Sequence, residues 1–326
     1  MSIRLGVLGA ARITPAAVIG PARRSARVRV VAVAARDAGR ARRFAEEHGV
    51  ERVEPGYDAL VESASVDAVY VALPAALHAT WTRRALRAGK HVLCEKPFAS
   101  NAGEAEAMVA AAVASDRVLF EACHDRFHPL ADRIRAIVAS DEIGQLRQIE
   151  SSFTVGIPSG DIRHDLALGG GALMDIGCYS VRWVRFAAGA EPEVVAARAV
   201  EGAPGVDLSM SADLAFAGGV RGRIHCDMTP GLAFQCSLRV RGDAGELLVD
   251  NPLVPHAGHR LEVDGPRGRR TEQVDPDGPT TYDYQLEAFA AAVLDGGPRL
   301  AGGADAIANM RVIDAIYRAA GMSPRG

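Results

Sequence analysis

The sequence predicts an α/β domain on a doubly wound parallel sheet, followed by an α+β domain with a large, mostly antiparallel sheet. Three observations carry this. The first third of the chain alternates short β-branched apolar runs with Ala-rich helical stretches, the grammar of strand, crossover helix, strand. From about Gly144 the runs become long and alternating, separated by turn residues such as Gly218-Gly219 and Gly242-Asp243. At 326 residues and 48% hydrophobic, the chain can fill two full-sized cores.

In order, strands are expected at 3–8, 28–34, 68–73, 91–94 and 117–122, with helices at 38–48, 76–88 and 102–115. Val30-Val31-Ala32-Val33 is apolar on both faces, as in a sheet covered on both sides. The second half predicts strands at 147–155, 193–200, 208–216, 221–228, 234–241 and 246–250, read as an antiparallel meander interrupted by a helix at 172–188. Helices at 283–295 and 304–320 close the chain. The domains are expected at 1–123 and 124–326, with the last helices able to pack back on the first. A strand-rich second half with few helices leaves one sheet face to be covered, which predicts an exposed apolar face and a homodimer or homotetramer.

Composition excludes several classes. The net charge is −3 and no basic stripe interleaves with aromatics, so no nucleic-acid surface is expected. No apolar run reaches a membrane span of about 18 residues, and the N-terminus lacks a signal-peptide pattern. The expectation is a soluble, cytoplasmic protein with no membrane partner. Five scattered cysteines without a C-x-x-C pair argue against disulfides and structural zinc. His124 and His128 are four apart but lack a His-Glu-x-x-His pattern, so no metal is expected.

The first strand runs into Gly9-Ala10-Ala11-Arg12-Ile13-Thr14 before Pro15. A glycine at the turn and small residues after it allow a helix N-terminus to approach a pyrophosphate, although an ordinary strand-to-helix turn explains the same residues. The second strand ends Ala34-Ala35-Arg36-Asp37, with Arg40 one turn on. A carboxylate at that end suits the ribose of NAD, whereas arginine suits the 2′-phosphate of NADP; the competing reading is a solvated arginine in an arginine-rich chain. Leu93-Cys94-Glu95-Lys96-Pro97 places one of only two lysines at the carboxyl end of a buried strand, where ligands bind in open α/β sheets. Gly169-Gly170-Gly171-Ala172-Leu173-Met174-Asp175-Ile176-Gly177-Cys178-Tyr179 sets Asp175 and Tyr179 on one helical face.

In this order and spacing these segments resemble the glucose-fructose oxidoreductase/inositol dehydrogenase/MocA (Gfo/Idh/MocA) family, nearest its dimeric dihydrodiol dehydrogenase and D-xylose dehydrogenase branch. Val33-Ala34-Ala35-Arg36-Asp37 and Glu121-Ala122-Cys123-His124-Asp125-Arg126-Phe127-His128-Pro129 point to the same branch. The resemblance implies a Rossmann domain followed by a large open sheet that mediates oligomerisation. It implies a cofactor site at Gly9, Ala11, Arg12, Ile13, Arg36, Arg40, Leu73, Pro74, His78, Glu95 and Lys96, with NADP(H) favoured over NAD(H). Catalysis falls to Lys96, Tyr179 and Asp175, and substrate contacts to His124, Arg126, Arg163 and His164. The chain departs from the family at Ala11, where a fingerprint glycine is usual, at Ala35 for serine, and in Pro74-Ala75-Ala76-Leu77-His78, where Asn is usual at position 75.

The reading is an NAD(P)-dependent oxidoreductase acting on a secondary alcohol or hemiacetal of a sugar or related cyclic diol. Tyr179 serves as acid/base; a tyrosine's ordinary pKa near 10 requires a cation such as Lys96 to bring it into range. The reverse chemistry, a keto-sugar reductase, uses the same groups. A non-catalytic NAD(P) sensor on this fold would not need both Lys96 and Tyr179. An aromatic-diol enzyme would want an aromatic pocket, whereas the loop His124-Asp125-Arg126-Phe127 is more polar and favours sugars.

Overall fold

The structure, a computed structural model, describes residues 2–297 and 303–326. It divides into two compact units, Met1–His124 with Tyr282–Ile307, and Asp125–Thr281 with Ala308–Gly326. In the first unit, strands β1 (Ile3–Leu8), β2 (Val28–Ala34), β3 (Arg52–Val53), β4 (Ala68–Val71), β5 (His91–Cys94) and β6 (Leu119–Glu121) form one parallel sheet in the order β3-β2-β1-β4-β5-β6. The strand order reverses between β1 and β4, and a ligand crevice opens at that point beyond the carboxyl ends. Every residue of β4 is buried, which is why its sequence Ala-Val-Tyr-Val lacks alternation.

Helices α1 (Gly20–Arg24), α2 (Ala38–His48), α3 (Tyr57–Glu62), α4 (Ala75–Arg87) and α5 (Ala102–Ser115) connect these strands. The α2 start is fixed by Asp37, whose side chain accepts the Arg40 N–H at 2.6 Å. Its end is fixed by Gly49 in the left-handed region.

The second unit holds α6 (Pro129–Val138) and α7 (Cys178–Ala188) with eight strands: β7 (Leu146–Thr154), β8 (Glu193–Ala203), β9 (Val206–Ala215), β10 (Arg221–Asp227), β11 (Gln235–Gly242), β12 (Glu246–Asp250), β13 (Arg260–Gly265) and β14 (Gly268–Glu272). Their order is β14-β13-β12-β11-β7-β10-β9-β8, and every neighbour pair is antiparallel except β7 with β10. The expected simple meander is therefore corrected: β7 is inserted between β11 and β10. Helix α7 covers β7, β10 and β11, where Ile149, Phe153, Ile224, Leu238 and Val240 are buried.

Edge strand β8 exposes Val195 and Val200, but across β7, β11 and β12 the face opposite α7 is charged rather than apolar, contrary to the expectation. Arg239 and Arg241 both pair with Glu246 there, at 2.8 and 2.6 Å, and Arg241 also reaches Glu150 at 3.3 Å. Alternation put charge, not apolar side chains, on the side away from α7. Two further helices follow, α8 (Thr281–Leu294) and α9 (Gly303–Ala319). Within the first unit, Phe289 of α8 meets Phe120 edge-on at 5.5 Å, and Arg27 pairs with Glu287 and Asp295. Among the described residues no helix is long and apolar enough to cross a membrane.

Candidate active site

The first unit supplies a dinucleotide cradle. Gly9 ends β1 at φ 99°, where L-residues are strained, and a Cβ there would press into the Ala72 carbonyl oxygen of the neighbouring strand end. Gly9 N–H donates to the Ala34 carbonyl at 2.8 Å, tying the loop to β2. Beside this loop lies a cavity of about 370 Å³ lined by Ala10, Ala11, Arg12, Pro15, Arg40, Arg43, Phe44, Glu47 and His48. Three of those side chains are arginines, which suits a phosphate on the ribose. Arg40 is also anchored, its Nη2 donating to the Ala10 carbonyl at 2.6 Å. Arg36 is exposed at the end of β2 and is not part of the cavity wall. Its neighbour Asp37 is committed to capping α2, so no carboxylate at this strand end is left to select NAD. The residues present therefore fit a dinucleotide carrying a 2′-phosphate.

At the carboxyl ends of β4 and β5 the sequence motifs come together. Leu73, Pro74, Glu95 and Lys96 are all half-buried, and the Lys96–Pro97 peptide is cis. Tyr70 is fully buried and its hydroxyl donates to Glu95 Oε1 at 2.5 Å, while Glu95 Oε2 accepts the Lys96 N–H at 3.2 Å. Burial and the adjacent carboxylate push the Tyr70 phenol well above its ordinary value, so it stays protonated as a donor. His78 is buried with its ring nitrogens at the Pro97 and Leu73 carbonyls, 2.8 and 2.7 Å away. Burial, with a smaller contribution from the Lys96 charge, lowers its pKa. The neutral ring sits between the two strand-end loops and donates its single N–H to one of these carbonyls.

The second unit contains the helical pair. A wide helical turn at Leu173–Gly177 leads into α7 and carries Asp175, with Tyr179 one turn on. Asp175 Oδ2 pairs with Arg163 Nε at 2.7 Å, and Arg163 Nη1 reaches Asp161 at 3.0 Å. Arg163, expected as a substrate contact, therefore has its guanidinium between two carboxylates. Tyr179 is buried against Trp183 and Phe153, ring centroids 5.9 and 6.1 Å away. Phe234, an exposed side chain, packs edge-on against Phe153 at 5.6 Å.

Of the remaining expected substrate contacts, His124 is buried with its ring 4.1 Å from that of Tyr282. Arg126 is half-buried, and His164 donates through Nε2 to the Ile157 carbonyl at 3.2 Å. Asp125 is buried, accepting from Trp183 Nε1 at 2.7 Å and pairing with Arg182. It secures α7, so the polar character of loop 124–127 overstates the polarity available to a substrate. Among the described residues no group of His, Cys, Asp or Glu is placed to hold a metal ion.

Sequence reading missed Arg43 and Tyr70. Arg43 had a readable signal, one helical turn after Arg40 on the side facing the glycine turn. Tyr70 had none, because its partner Glu95 lies just beyond the end of the next strand, 25 positions on.

Comparison with known proteins agrees with this geometry. Residues 3–123 match the family model described as the oxidoreductase family, NAD-binding Rossmann fold, and residues 131–248 match the GFO/IDH/MocA C-terminal domain. The chain is 37% identical to D-xylose 1-dehydrogenase (NADP(+)) 2 of Haloferax volcanii, over 97% of this chain and 96% of that one. The solved structure of KijD10, a 3-ketoreductase from Actinomadura kijaniata in complex with NADP and TDP-benzene, superposes with a TM-score of 0.89 at 33% identity over 98% of each chain. The aldose-aldose oxidoreductase from Caulobacter crescentus, complexed with glycerol, gives a TM-score of 0.88 at 27% identity, again over 98% of each chain.

Proposed function

The chain belongs to the Gfo/Idh/MocA oxidoreductase family, and from that premise we propose that it is an NADP(H)-dependent oxidoreductase of a secondary alcohol or hemiacetal carbon of a sugar or related cyclic diol. The observation that carries this reading is Lys96, a half-buried ammonium at the carboxyl end of β5 in a sheet whose switch point is built for a dinucleotide. When bound, the nicotinamide supplies the hydride acceptor for oxidation or the donor for reduction.

The chain's own groups handle the oxygen. Lys96 holds the substrate oxygen by its ammonium, stabilising the negative charge that builds as the O–H proton leaves. Tyr179 takes that proton, and the O–H electron pair becomes the second bond of the new carbonyl; in reduction the proton returns from Tyr179. Asp175, fixed by Arg163, orients the donors around the oxygen. His78 and Tyr70 act from behind, holding the loops of Leu73, Pro97 and Glu95.

NADP(H) is favoured over NAD(H) by Arg12, Arg40 and Arg43 around the cavity beside Gly9, with Arg36 at the adjoining strand end. His124, Arg126, Arg163 and His164 are the substrate contacts, Arg163 being oriented by Asp161 and Asp175. The likeness to the 3-ketoreductase KijD10 favours a second reading, reduction of a keto-sugar, which uses the same groups in reverse. All five cysteines are buried free thiols, which suits a reducing, cytoplasmic compartment. A homodimer or homotetramer through the outer face of the eight-stranded sheet is part of this reading, supported by Val195 and Val200 of β8, which are exposed beside the Arg and Glu pairs of that sheet.

The test is turnover with D-xylose, D-glucose, myo-inositol and a trans-dihydrodiol, each with NADP+ and NAD+, and the reverse reaction with keto-sugars. Turnover of a sugar or cyclic diol with preference for NADP(H) is expected; turnover confined to an acyclic, non-sugar alcohol would contradict the reading.

A further inference from the structure

Asp207, near the start of β9, is completely buried and gathers donors from three separate segments of its own unit. Its Oδ2 accepts the Leu173 N–H at 2.7 Å. Its Oδ1 accepts the Tyr317 hydroxyl at 2.9 Å and Arg325 Nη2 at 2.7 Å. Arg325 is itself 3% exposed, lies over the Tyr317 ring at 4.1 Å, and donates through Nε to the Gly170 carbonyl at 2.9 Å. The cluster thus grips both sides of Gly171, whose φ is 138° and where a Cβ would come within 2.8 Å of Arg325 Nη2 and of the Tyr317 hydroxyl. The Gly171 carbonyl in turn accepts the Asp175 N–H at 3.0 Å.

A buried ion pair is a poor device for stability, since apolar residues of similar volume commonly do as well. What it supplies is direction. The opening N–H groups of a helix have no partners within it, and a carboxylate reached from another strand fixes where the first turn starts. Here that turn presents Asp175 and, one turn later, Tyr179.

We propose that Asp207 and Arg325 are a positioning pair for the catalytic helix, setting the register of residues 170–175 so that Asp175 and Tyr179 are held in their working orientation. This rests on the reading that Tyr179 carries the proton. A displacement of about 1 Å at reacting groups costs on the order of 100-fold in rate.

The experiment compares Arg325→Ala, Arg325→Lys, Tyr317→Phe and Tyr179→Phe with the unaltered enzyme. Turnover is measured on whichever panel sugar reacts fastest, NADPH affinity by fluorescence titration, and backbone amide exchange across 170–175. For Arg325→Ala the expected result is a kcat loss of roughly 100-fold with NADPH affinity retained and faster exchange across 170–175. Guanidinium ion below denaturing concentration should restore part of that kcat, as should the lysine variant, and neither agent should restore Tyr179→Phe. Should Arg325→Ala not fold, Tyr317→Phe removes one donor and should cost about fivefold in kcat. Folded variants with the parent kcat, or a loss with unchanged exchange and no guanidinium rescue, would overturn the pairing. Wild-type kcat in Tyr179→Phe would instead sink the catalytic reading, and the proposal with it.

Discussion

Lys96 and Arg36 are both cations at strand ends, and both were legible because a parallel sheet gathers its chemistry at the carboxyl edge. Gly9 and the Asp175/Tyr179 pair were legible for a related reason: a tight turn and a four-residue helical spacing are local. Asp207 and Arg325 were not, since the partners are 118 positions apart. Arg163 was read as a substrate contact, yet its fork is held by Asp161 and Asp175; a side chain's type was visible in the sequence and its partner was not. At this scale, Lys96→Met should cost about 100- to 10,000-fold in kcat while NADPH still binds, a typical loss for a group acting on the reacting oxygen. Arg43→Ala and Arg36→Ala should each weaken NADPH by about tenfold and leave NADH nearly unchanged, because each removes a charge-assisted bond to phosphate. Parallel titrations with both cofactors measure this; equal losses for the two would remove these arginines from phosphate recognition.

Helix α6 was absent from the sequence reading although Pro129 at its first position was a usable start signal. The structure fastens it at two points. His128 Nδ1 accepts the Leu130 N–H at 3.1 Å as the cap, and Arg133 clasps Glu272 of β14 through two bonds of 2.7 Å. Strand β14 escaped notice because Gly-Arg-Arg-Thr-Glu has no apolar alternation to read. The parallel β7–β10 pair escaped because insertion of a strand between distant partners leaves no local trace.

The cap makes α6 acid-sensitive. Burial lowers the His128 pKa from 6.5 to about 4, so the native state holds the ring neutral. Its contribution is complete above 6.5, the unfolded value, and is lost as the pH falls toward 4. The guanidinium of Arg133 holds Glu272 down at about 2, so that anchor persists until far more acid conditions. Urea unfolding across the window should show stability falling in the parent and a flatter profile in His128→Asn, which retains a capping oxygen. An unchanged slope in the variant would assign the loss elsewhere.

For the molecule as a whole, fold class and family were readable because the segments that carry them are spread along a chain that matches the Haloferax dehydrogenase over 97% of its length. For the outer sheet face, strand spacing suggests an uncovered apolar surface, whereas the structure pairs Arg239 and Arg241 with Glu246 and Glu150 across β7, β11 and β12 and leaves Val195 and Val200 of β8 exposed. An assembly through such a face would be held by screened ion pairs as much as by apolar contact, so its dissociation should rise with ionic strength. Light scattering at low and high salt should give two or four times the chain mass in the first case and less in the second; a monomer at both would reject the oligomer.

Lys96 and Tyr179 are proposed to drive NADP(H)-dependent redox chemistry at a sugar carbon. Steady-state kcat/KM for the parent and Tyr179→Phe, over the sugar and keto-sugar panel with NADP(H) and NAD(H), tests it most directly. Turnover of a sugar or keto-sugar that prefers NADP(H) and falls at least about 100-fold in the variant is the expected result. Equal use of the two cofactors, or a Tyr179→Phe enzyme as fast as its parent on the same substrate, would contradict it.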